Sequence, residues 1–314
     1  MHLLVPFAST LDENGVHALR DLPLPALASL LARLEPRERL GSDESTLTPP
    51  HERALAAALG WQGADGCLPW AARQAAQDGI ASGDGRAWGL LVPAHWRVSA
   101  EGVTLADPQD LALAEDESRA LLEAVRGLFE SQGWRLQWGA ALRWYAAHDS
   151  LRDLPCASPD RAIGRGIDDW LAKDARRAAV RRLQSEVQML LYRAPVNDAR
   201  EALGDLPVNS FWLHGCGVAQ PAPPASAEPQ VDARLRRPAL AADWAAWAEA
   251  WRALDAGPIA ALLQRVQAGD RALSLTLCGE RHAQRFEPPA AAGLWSRFTR
   301  SLRAPTPAAV LEAL

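Results

Sequence analysis

Side chains able to bind an anionic ligand gather between residues 184 and 217. Asn197 and Arg200 lie on a short polar segment, and Asn209 and Ser210 open a run rich in β-forming residues. Arginine can hold a phosphate or a carboxylate through two parallel hydrogen bonds, and asparagine suits both ligand binding and the capping of turns. We therefore predict a small phosphorylated or carboxylate ligand here. The alternative is that these side chains only cap turns and pair on the surface.

A histidine and small residues follow the same run. Glycines after a buried strand expose backbone groups at the strand's C-terminal end, where α/β proteins place ligands. Cys216, between two of these glycines, is a candidate reactive thiol, with an inert thiol as the alternative. Each candidate histidine likewise has a structural role as its alternative. The predicted ligand-binding residues are Asn197, Arg200, Asn209, Ser210, His214, Gly215, Gly217 and His95.

The elements that position these residues follow from hydrophobic periodicity. Apolar residues at helical spacing predict a helix over 175–192, and β-forming residues predict a strand over 208–213 with an exit loop at 214–217. A strand over 88–98 contains Pro93, which places that proline at a sheet edge or a strand end. The predicted site thus lies between a helix, a polar turn and a strand end.

Other segments complete a mixed pattern of helices and strands. Leucines at helical spacing predict a helix over 22–34, and an amphipathic stripe predicts another over 118–132. The charged, Ser/Thr/Pro-rich stretch 35–50 predicts a loop. Further strands are predicted at 103–105, 134–138, 141–145, 272–277 and 282–286.

The order of these segments suggests three regions. Residues 1–218 form the predicted main α/β region, 219–240 a Pro/Ala-rich linker or loop, and 241–314 a set of C-terminal helices with a hairpin. The helix predicted over 241–254 carries Trp244, Trp247 and Trp251 on one face. Such a stripe indicates either core or an interface with a protein partner, because tryptophan buries a large area.

Composition excludes several classes of protein. The net charge of −5 argues against general nucleic-acid binding. The four cysteines form no CxxC pair, so we expect reduced thiols rather than a disulfide framework or a zinc finger. No apolar run reaches the length of a membrane span, and the N-terminus lacks the pattern of a secretory signal. We expect a cytoplasmic protein that binds neither nucleic acid nor membrane.

The segment 183–217 resembles a known family. Its pattern, PVNDAR followed by PVNSFWLHGCG, is similar to a segment of archaeal-type cofactor-independent phosphoglycerate mutases, in the alkaline-phosphatase-like superfamily. The whole chain resembles proteobacterial RpfE-type regulatory proteins, through LLVP, TPPHERALA, WGLLVPAHW, LRWYAAH and LQSEVQMLL. The resemblance implies an α/β fold with a mixed, alkaline-phosphatase-like sheet flanked by helices, in a reduced or degenerate form.

The departures from the mutase pattern concern its metals. The superfamily places an Asp-Gly metal motif after its first strand, where this chain has residues 5–10, VPFAST. After Gly217, His282 is the only histidine, and the sequence shows no DxxxH or HxH spacing. Two catalytic metals need several converging carboxylate or imidazole ligands. The sequence therefore predicts neither metal nor cofactor.

Three functions remain open at this point. The first is a non-catalytic regulatory protein of the RpfE type, a degenerate mutase-like protein without the dimetal site. The second is a mutase-like or phosphatase-like enzyme with a rearranged site, whose nucleophile would be Ser9 or Ser210. The third is an interaction module that docks a protein partner through Trp244, Trp247 and Trp251.

Overall fold

A computed structural model describes most of the chain. The described residues are 1–41, 43–80, 85–100, 102–171, 177–221, 223–224, 228–289 and 305–314. The strands are β1 (His2–Val5), β2 (Glu35–Gly41), β3 (Ala87–Ala94), β4 (Trp96–Ser99), β5 (Gly102–Leu105), β6 (Arg135–Ala140), β7 (Arg143–Ala147), β8 (Ser210–Val218), β9 (Gln230–Val231), β10 (Ser274–Cys278) and β11 (His282–Glu287). The α-helices are α1 (Glu13–Arg20), α2 (Pro25–Leu31), α3 (Pro50–Ala58), α4 (Trp70–Gln77), α5 (Glu115–Ser131), α6 (Pro159–Ala162), α7 (Ala178–Leu191), α8 (Pro195–Leu203), α9 (Arg236–Leu240), α10 (Trp244–Leu254), α11 (Ala260–Gln267) and α12 (Pro307–Glu312).

The chain divides into two compact units that do not follow chain order. Unit 1 comprises Met1–Ser45, Pro49–Gly60 and Ala222–Leu314, and unit 2 comprises Thr46–Thr48 and Trp61–Pro221. The sequence-based regions with boundaries at 218 and 240 group the segments differently. Composition along the chain defines those regions, and it does not show that β1 pairs with β10, more than 260 residues later.

Unit 1 contains a five-stranded mixed sheet in the order β2-β11-β10-β1-β9. β1 runs parallel to β9 and β10, whereas β11 runs antiparallel to β10 and β2. Leu3 and Val5 pack into one cluster with residues of α2, α10 and α11, while Leu4 packs into another with Ala54 of α3. Alternate residues of β1 thus face opposite helical layers. This confirms the predicted α/β fold with a mixed sheet flanked by helices.

Unit 2 contains an antiparallel four-stranded sheet in the order β6-β7-β3-β8. Its larger core cluster joins the sheet to α5 and α7 through Leu91, Leu121, Val187 and Phe211. A smaller cluster joins the sheet to α4 through Trp88 and alanines of that helix. β4 and β5 form a separate hairpin, so the strand predicted over 88–98 is divided at His95 into β3 and β4.

Two expectations about loops need correction. The loop predicted over 35–50 is wrong at its start, because Glu35–Gly41 is a strand. It lies at a sheet edge with most side chains exposed, and charged residues are common on edge strands. The predicted exit loop 214–217 belongs instead to β8, which continues to Val218. β8 is antiparallel to β3, its neighbour in the sheet.

Pro93 lies where the sequence places it. β3 pairs with β7 only as far as Leu91, whereas its pairing with β8 continues to Ala94. The proline therefore occupies the end of β3 that has a single neighbouring strand, so the missing N–H removes no bond to β7. Among the described helices, none is long and apolar enough to cross a membrane.

Candidate functional site

Asn197 fastens the turn between α8 and β8. Its side-chain nitrogen donates to the carbonyls of Leu191 and Val208, both at 2.8 Å, and its Oδ1 accepts from the Val208 N–H at 2.9 Å. The residue is 4% exposed. The Asn197 side-chain amide therefore makes hydrogen bonds to backbone groups in the turn before β8, and each of its polar atoms has a partner within the protein.

Arg200 is the most deeply buried charge of the segment, at 2% exposure. Its Nε donates to the Leu206 carbonyl at 3.0 Å, its Nη1 to the Glu117 carboxylate at 2.7 Å, and its Nη2 to the Leu111 carbonyl. The guanidinium thus ties α8 to the start of α5 and to the turn before it. These are the same N–H groups that a phosphate clamp would use.

Asn209 and His95 hold the start of β8 against the end of β3. Asn209 accepts from the Trp96 N–H at 2.8 Å and donates to the Trp96 carbonyl at 2.9 Å, as a strand neighbour would. His95 Nδ1 lies 2.7 Å from the Pro207 carbonyl. Because a carbonyl only accepts, Nδ1 carries the ring proton.

Ser210 and His214 lie on β8, where Ser210 is buried and His214 is partly buried. The Ser210 hydroxyl and the His214 Nδ1 have no hydrogen-bond partner among the described residues. Burial lowers the pKa of His214 to about 4, although the charge of Asp160 acts in the opposite direction, so the imidazole is neutral at pH 7. His214 is four positions after Ser210 along the strand, so their Cα atoms are about 13 Å apart. This distance places the pair beyond the reach of a nucleophile and its general base.

Gly215 and Gly217 let α4 approach β8 closely. A Cβ on Gly215 would lie 2.9 Å from the Trp70 Cβ, and one on Gly217 would lie 3.1 Å from the Pro69 Cβ. Both glycines have positive φ, at 64° and 148°. Their small size and backbone conformation are therefore required by packing of the helix against the strand.

This packing gives a first prediction. Gly215→Ala should lower the free energy of unfolding by about 2–4 kcal/mol, because the side chain meets both the left-handed backbone and the Trp70 contact. Urea denaturation followed by tryptophan fluorescence measures the change. Gly127→Ala is the matched control: Gly127 lies inside α5, and a Cβ added there would meet no described residue within 4 Å, so alanine should stabilise by about 0.5–1 kcal/mol. Equal effects at the two positions would contradict this account.

The structure thus brings some of the predicted residues together and separates others. Asn197, Asn209 and His95 surround the turn 207–209, and Arg200 extends from it toward α5. Ser210 and His214 lie further along β8, and the two glycines contact α4. Whether any of them binds a ligand stays a prediction.

One important partner escaped the sequence interpretation. Glu117 accepts both the Ala114 N–H, at 2.9 Å, and the Arg200 guanidinium. A glutamate in the first turn of a helix often accepts from the N-cap backbone N–H, so this bond of Glu117 could have been predicted from the sequence. Its pairing with an arginine 83 residues later has no signal in a single sequence.

The residues that follow β1 also form hydrogen bonds within the protein. Thr10 donates its hydroxyl to Glu280 at 2.9 Å and accepts from the Asp12 N–H at 3.1 Å, while Asp12 caps α1. Ser9 and Thr10 are buried. Across the described ranges of both units, no three His, Cys, Asp or Glu side chains gather in a way that could hold a metal ion.

Comparison with known proteins gives a distant structural likeness. No family model and no curated protein matches the sequence. Among solved structures, the cofactor-independent phosphoglycerate mutase of Thermoplasma acidophilum aligns over 100% of this chain and 98% of its own, with 14% identity and a TM-score of 0.39. The PH0037 protein of Pyrococcus horikoshii aligns over 95% of this chain and 92% of its own, with 10% identity and a TM-score of 0.41.

Proposed function

We propose that this protein is a non-catalytic regulatory protein of the RpfE type, a mutase-like protein without the dimetal site. One observation carries the proposal. The polar side chains of the mutase-like segment, at Asn197, Arg200 and Asn209, bind carbonyls, N–H groups and one carboxylate of the protein itself. A ligand that used them would have to replace these bonds and leave buried acceptors without donors, which is costly.

The same observation gives the mutase-like residues of 183–217 a role that requires no catalysis. Asparagine and arginine at these positions fix the turn into β8, and glycine at 215 and 217 admits α4. These are requirements of folding that hold whether or not a reaction takes place. The sequence pattern that suggests a mutase is therefore compatible with a protein that regulates by binding.

A titration tests the proposal directly. Purified protein is melted with manganese or zinc, with and without 3-phosphoglycerate, and is assayed for mutase turnover, with an archaeal cofactor-independent mutase as the positive control. We expect neither turnover nor a metal-dependent rise in melting temperature that 3-phosphoglycerate enlarges. A ligand at a hundredfold excess over its Kd would stabilise the folded state by about 2.7 kcal/mol. Such a shift, with turnover, would establish the enzyme instead.

The partner of a regulatory protein is a separate proposal. Docking through Trp244, Trp247 and Trp251 remains the hypothesis from sequence. Trp247 and Trp251 are 0% exposed within unit 1, and Trp244 is partly exposed. A partner that binds this helix would therefore contact Trp244 first.

A further inference from the structure

Two thiols meet inside unit 2. The Sγ atoms of Cys156 and Cys216 lie 3.5 Å apart, and the residues are 3% and 0% exposed. They come from distant parts of the chain, since Cys216 lies on β8 and Cys156 follows a turn 60 residues earlier. The Cys156 sulfur also has a hydrogen bond with the Arg177 guanidinium, and the Cys156 N–H donates to the Gly66 carbonyl at 2.9 Å.

The backbone on both sides of the pair is fixed. Cys216 lies where β8 shifts register opposite Gly89, so a Cβ on that glycine would lie 3.3 Å from the Cys216 sulfur. The residue after Cys156 accepts the Trp212 indole N–H at 2.9 Å. The two sulfur atoms are therefore held in contact by β8 and its neighbouring loop. The remaining approach to a covalent S–S bond is about 1.5 Å.

The surroundings make the two thiols chemically unequal. Burial alone would raise the pKa of Cys156, but the hydrogen bond from Cys216 and the charge of Arg177 lower it below its usual value. Burial and the neighbouring sulfur raise the pKa of Cys216 well above its usual value. Arg177 is itself 4% exposed, so its charge is poorly screened. A thiolate beside a protonated thiol is the arrangement in which one sulfur attacks and the other resolves.

We propose that Cys156 and Cys216 are a reversible redox site, which hydrogen peroxide converts into an intramolecular disulfide. The Cys156 thiolate attacks a peroxide oxygen, the O–O bond breaks, and hydroxide leaves, which gives a sulfenic acid. The Cys216 sulfur then attacks the Cys156 sulfur, the S–O bond breaks, and the departing hydroxide takes the Cys216 proton and leaves as water. The hydroxide released in the first step takes a proton from solvent and becomes the second water. Two thiols are oxidised, one peroxide is reduced to two waters, and an external dithiol reverses the reaction.

The proposal stands apart from the regulatory function above, but it adds a means of control. A disulfide here would join β8 to the loop that supports Trp212, and it would close a loop of about 60 residues in the unfolded chain. Such a cross-link restricts the unfolded state most when the loop is long. Oxidised protein should therefore melt at a higher temperature than reduced protein.

The experiment is an oxidation of the folded, reduced protein by hydrogen peroxide. Samples are quenched with acid, alkylated under denaturing conditions, digested and analysed by mass spectrometry. We expect a cross-linked peptide pair containing Cys156 and Cys216, the loss of the mass of two hydrogen atoms, and complete reversal by dithiothreitol. Two results would overturn the proposal. In the first, peroxide oxidises Cys67 while Cys156 and Cys216 stay reduced and are alkylated. In the second, either residue is cross-linked to Cys67.

Alanine variants separate this site from the other thiols. Cys156→Ala and Cys216→Ala should each abolish the cross-link and the rise in melting temperature. Cys278→Ala is the matched control, because Cys278 is a buried thiol of unit 1, and this variant should form the cross-link at the wild-type rate. Circular dichroism of each reduced variant establishes that it is folded, so a missing cross-link reports on the chemistry. An unchanged yield of disulfide-linked Cys156 in Cys216→Ala, with another thiol as its partner, would refute the pairing.

Discussion

Arg200→Met should lower the free energy of unfolding by about 3–5 kcal/mol, the range for breaking a buried ion pair on one side. The change leaves the Leu206 and Leu111 carbonyls without their donor and leaves Glu117 without its counter-charge. Methionine fills much of the volume, so the loss reports on polar bonds rather than on a cavity. Urea denaturation monitored by circular dichroism gives the value.

Arg200→Lys should fall between wild type and Arg200→Met. An ammonium can reach one acceptor well, but it lacks the planar fork that serves three acceptors at fixed angles. Arg182→Met is the matched control, since Arg182 pairs with Glu186 across one helical turn and its side chain is 78% exposed. That variant should change stability by no more than about 0.5 kcal/mol. A small effect of Arg200→Met would show that the guanidinium is not needed by the fold.

A double variant tests the pair itself. Glu117 is partly buried, with 26% of its side chain exposed. Glu117→Gln alone should cost less than Arg200→Met, because the amide still accepts a hydrogen bond without charge. Arg200→Met with Glu117→Gln should cost less than the sum of the single changes, because the uncompensated carboxylate is then absent. Strict additivity would mean that the 2.7 Å contact contributes nothing measurable.

Arg200→Met also distinguishes a residue that holds the fold from one that binds a ligand. A residue that binds phosphate in a preformed pocket can be removed with little loss of stability in the unliganded protein. A residue that holds the fold lowers the unliganded stability at once. Melting Arg200→Met and wild type with and without 3-phosphoglycerate therefore shows which role the arginine has.

Local patterns made the helices of this chain predictable. The stripe of Leu121, Leu122 and Val125 marks α5 because residues at helical spacing share one face. Pro25 marks the start of α2, where the missing N–H costs no helical bond. Pro195 likewise starts α8, although the sequence predicts only a polar turn there. Such signals lie within a few residues of the structure that they specify, so a single sequence contains them.

The pairing of distant segments was not predictable in this way. The charged sequence of β2 predicts a loop. In the structure it is an edge strand that pairs with β11, whose residues lie more than 240 positions away in the chain. Asn197 and Arg200 read as candidates for ligand binding because both side chains suit ligands. Only the fold shows that their partners are the Val208 backbone and Glu117. The chemistry of a residue type was clear in each case, and the identity of the partner was not.

Trp247→Ala should lower the free energy of unfolding by about 3–5 kcal/mol. Trp247 is 0% exposed in the core of unit 1, donates its indole N–H to the Phe7 carbonyl at 3.0 Å, and meets the rings of Trp244 and Trp251 edge to face. The truncation loses buried area, leaves a cavity and orphans a carbonyl. Urea denaturation followed by circular dichroism measures the loss, since the fluorescence of a changed tryptophan set is not comparable.

Two phenylalanine variants separate packing from the hydrogen bond. Trp247→Phe removes the donor to Phe7, whereas Trp251→Phe removes an indole N–H that has no partner among the described residues. The second should cost less by about 1–2 kcal/mol, because it removes a buried unsatisfied group instead of creating one. If the stripe docks a partner, Trp247→Ala should instead leave the melting temperature of the isolated protein unchanged and weaken a complex. Because both rings are fully buried, loss of stability in the isolated protein is the expected result.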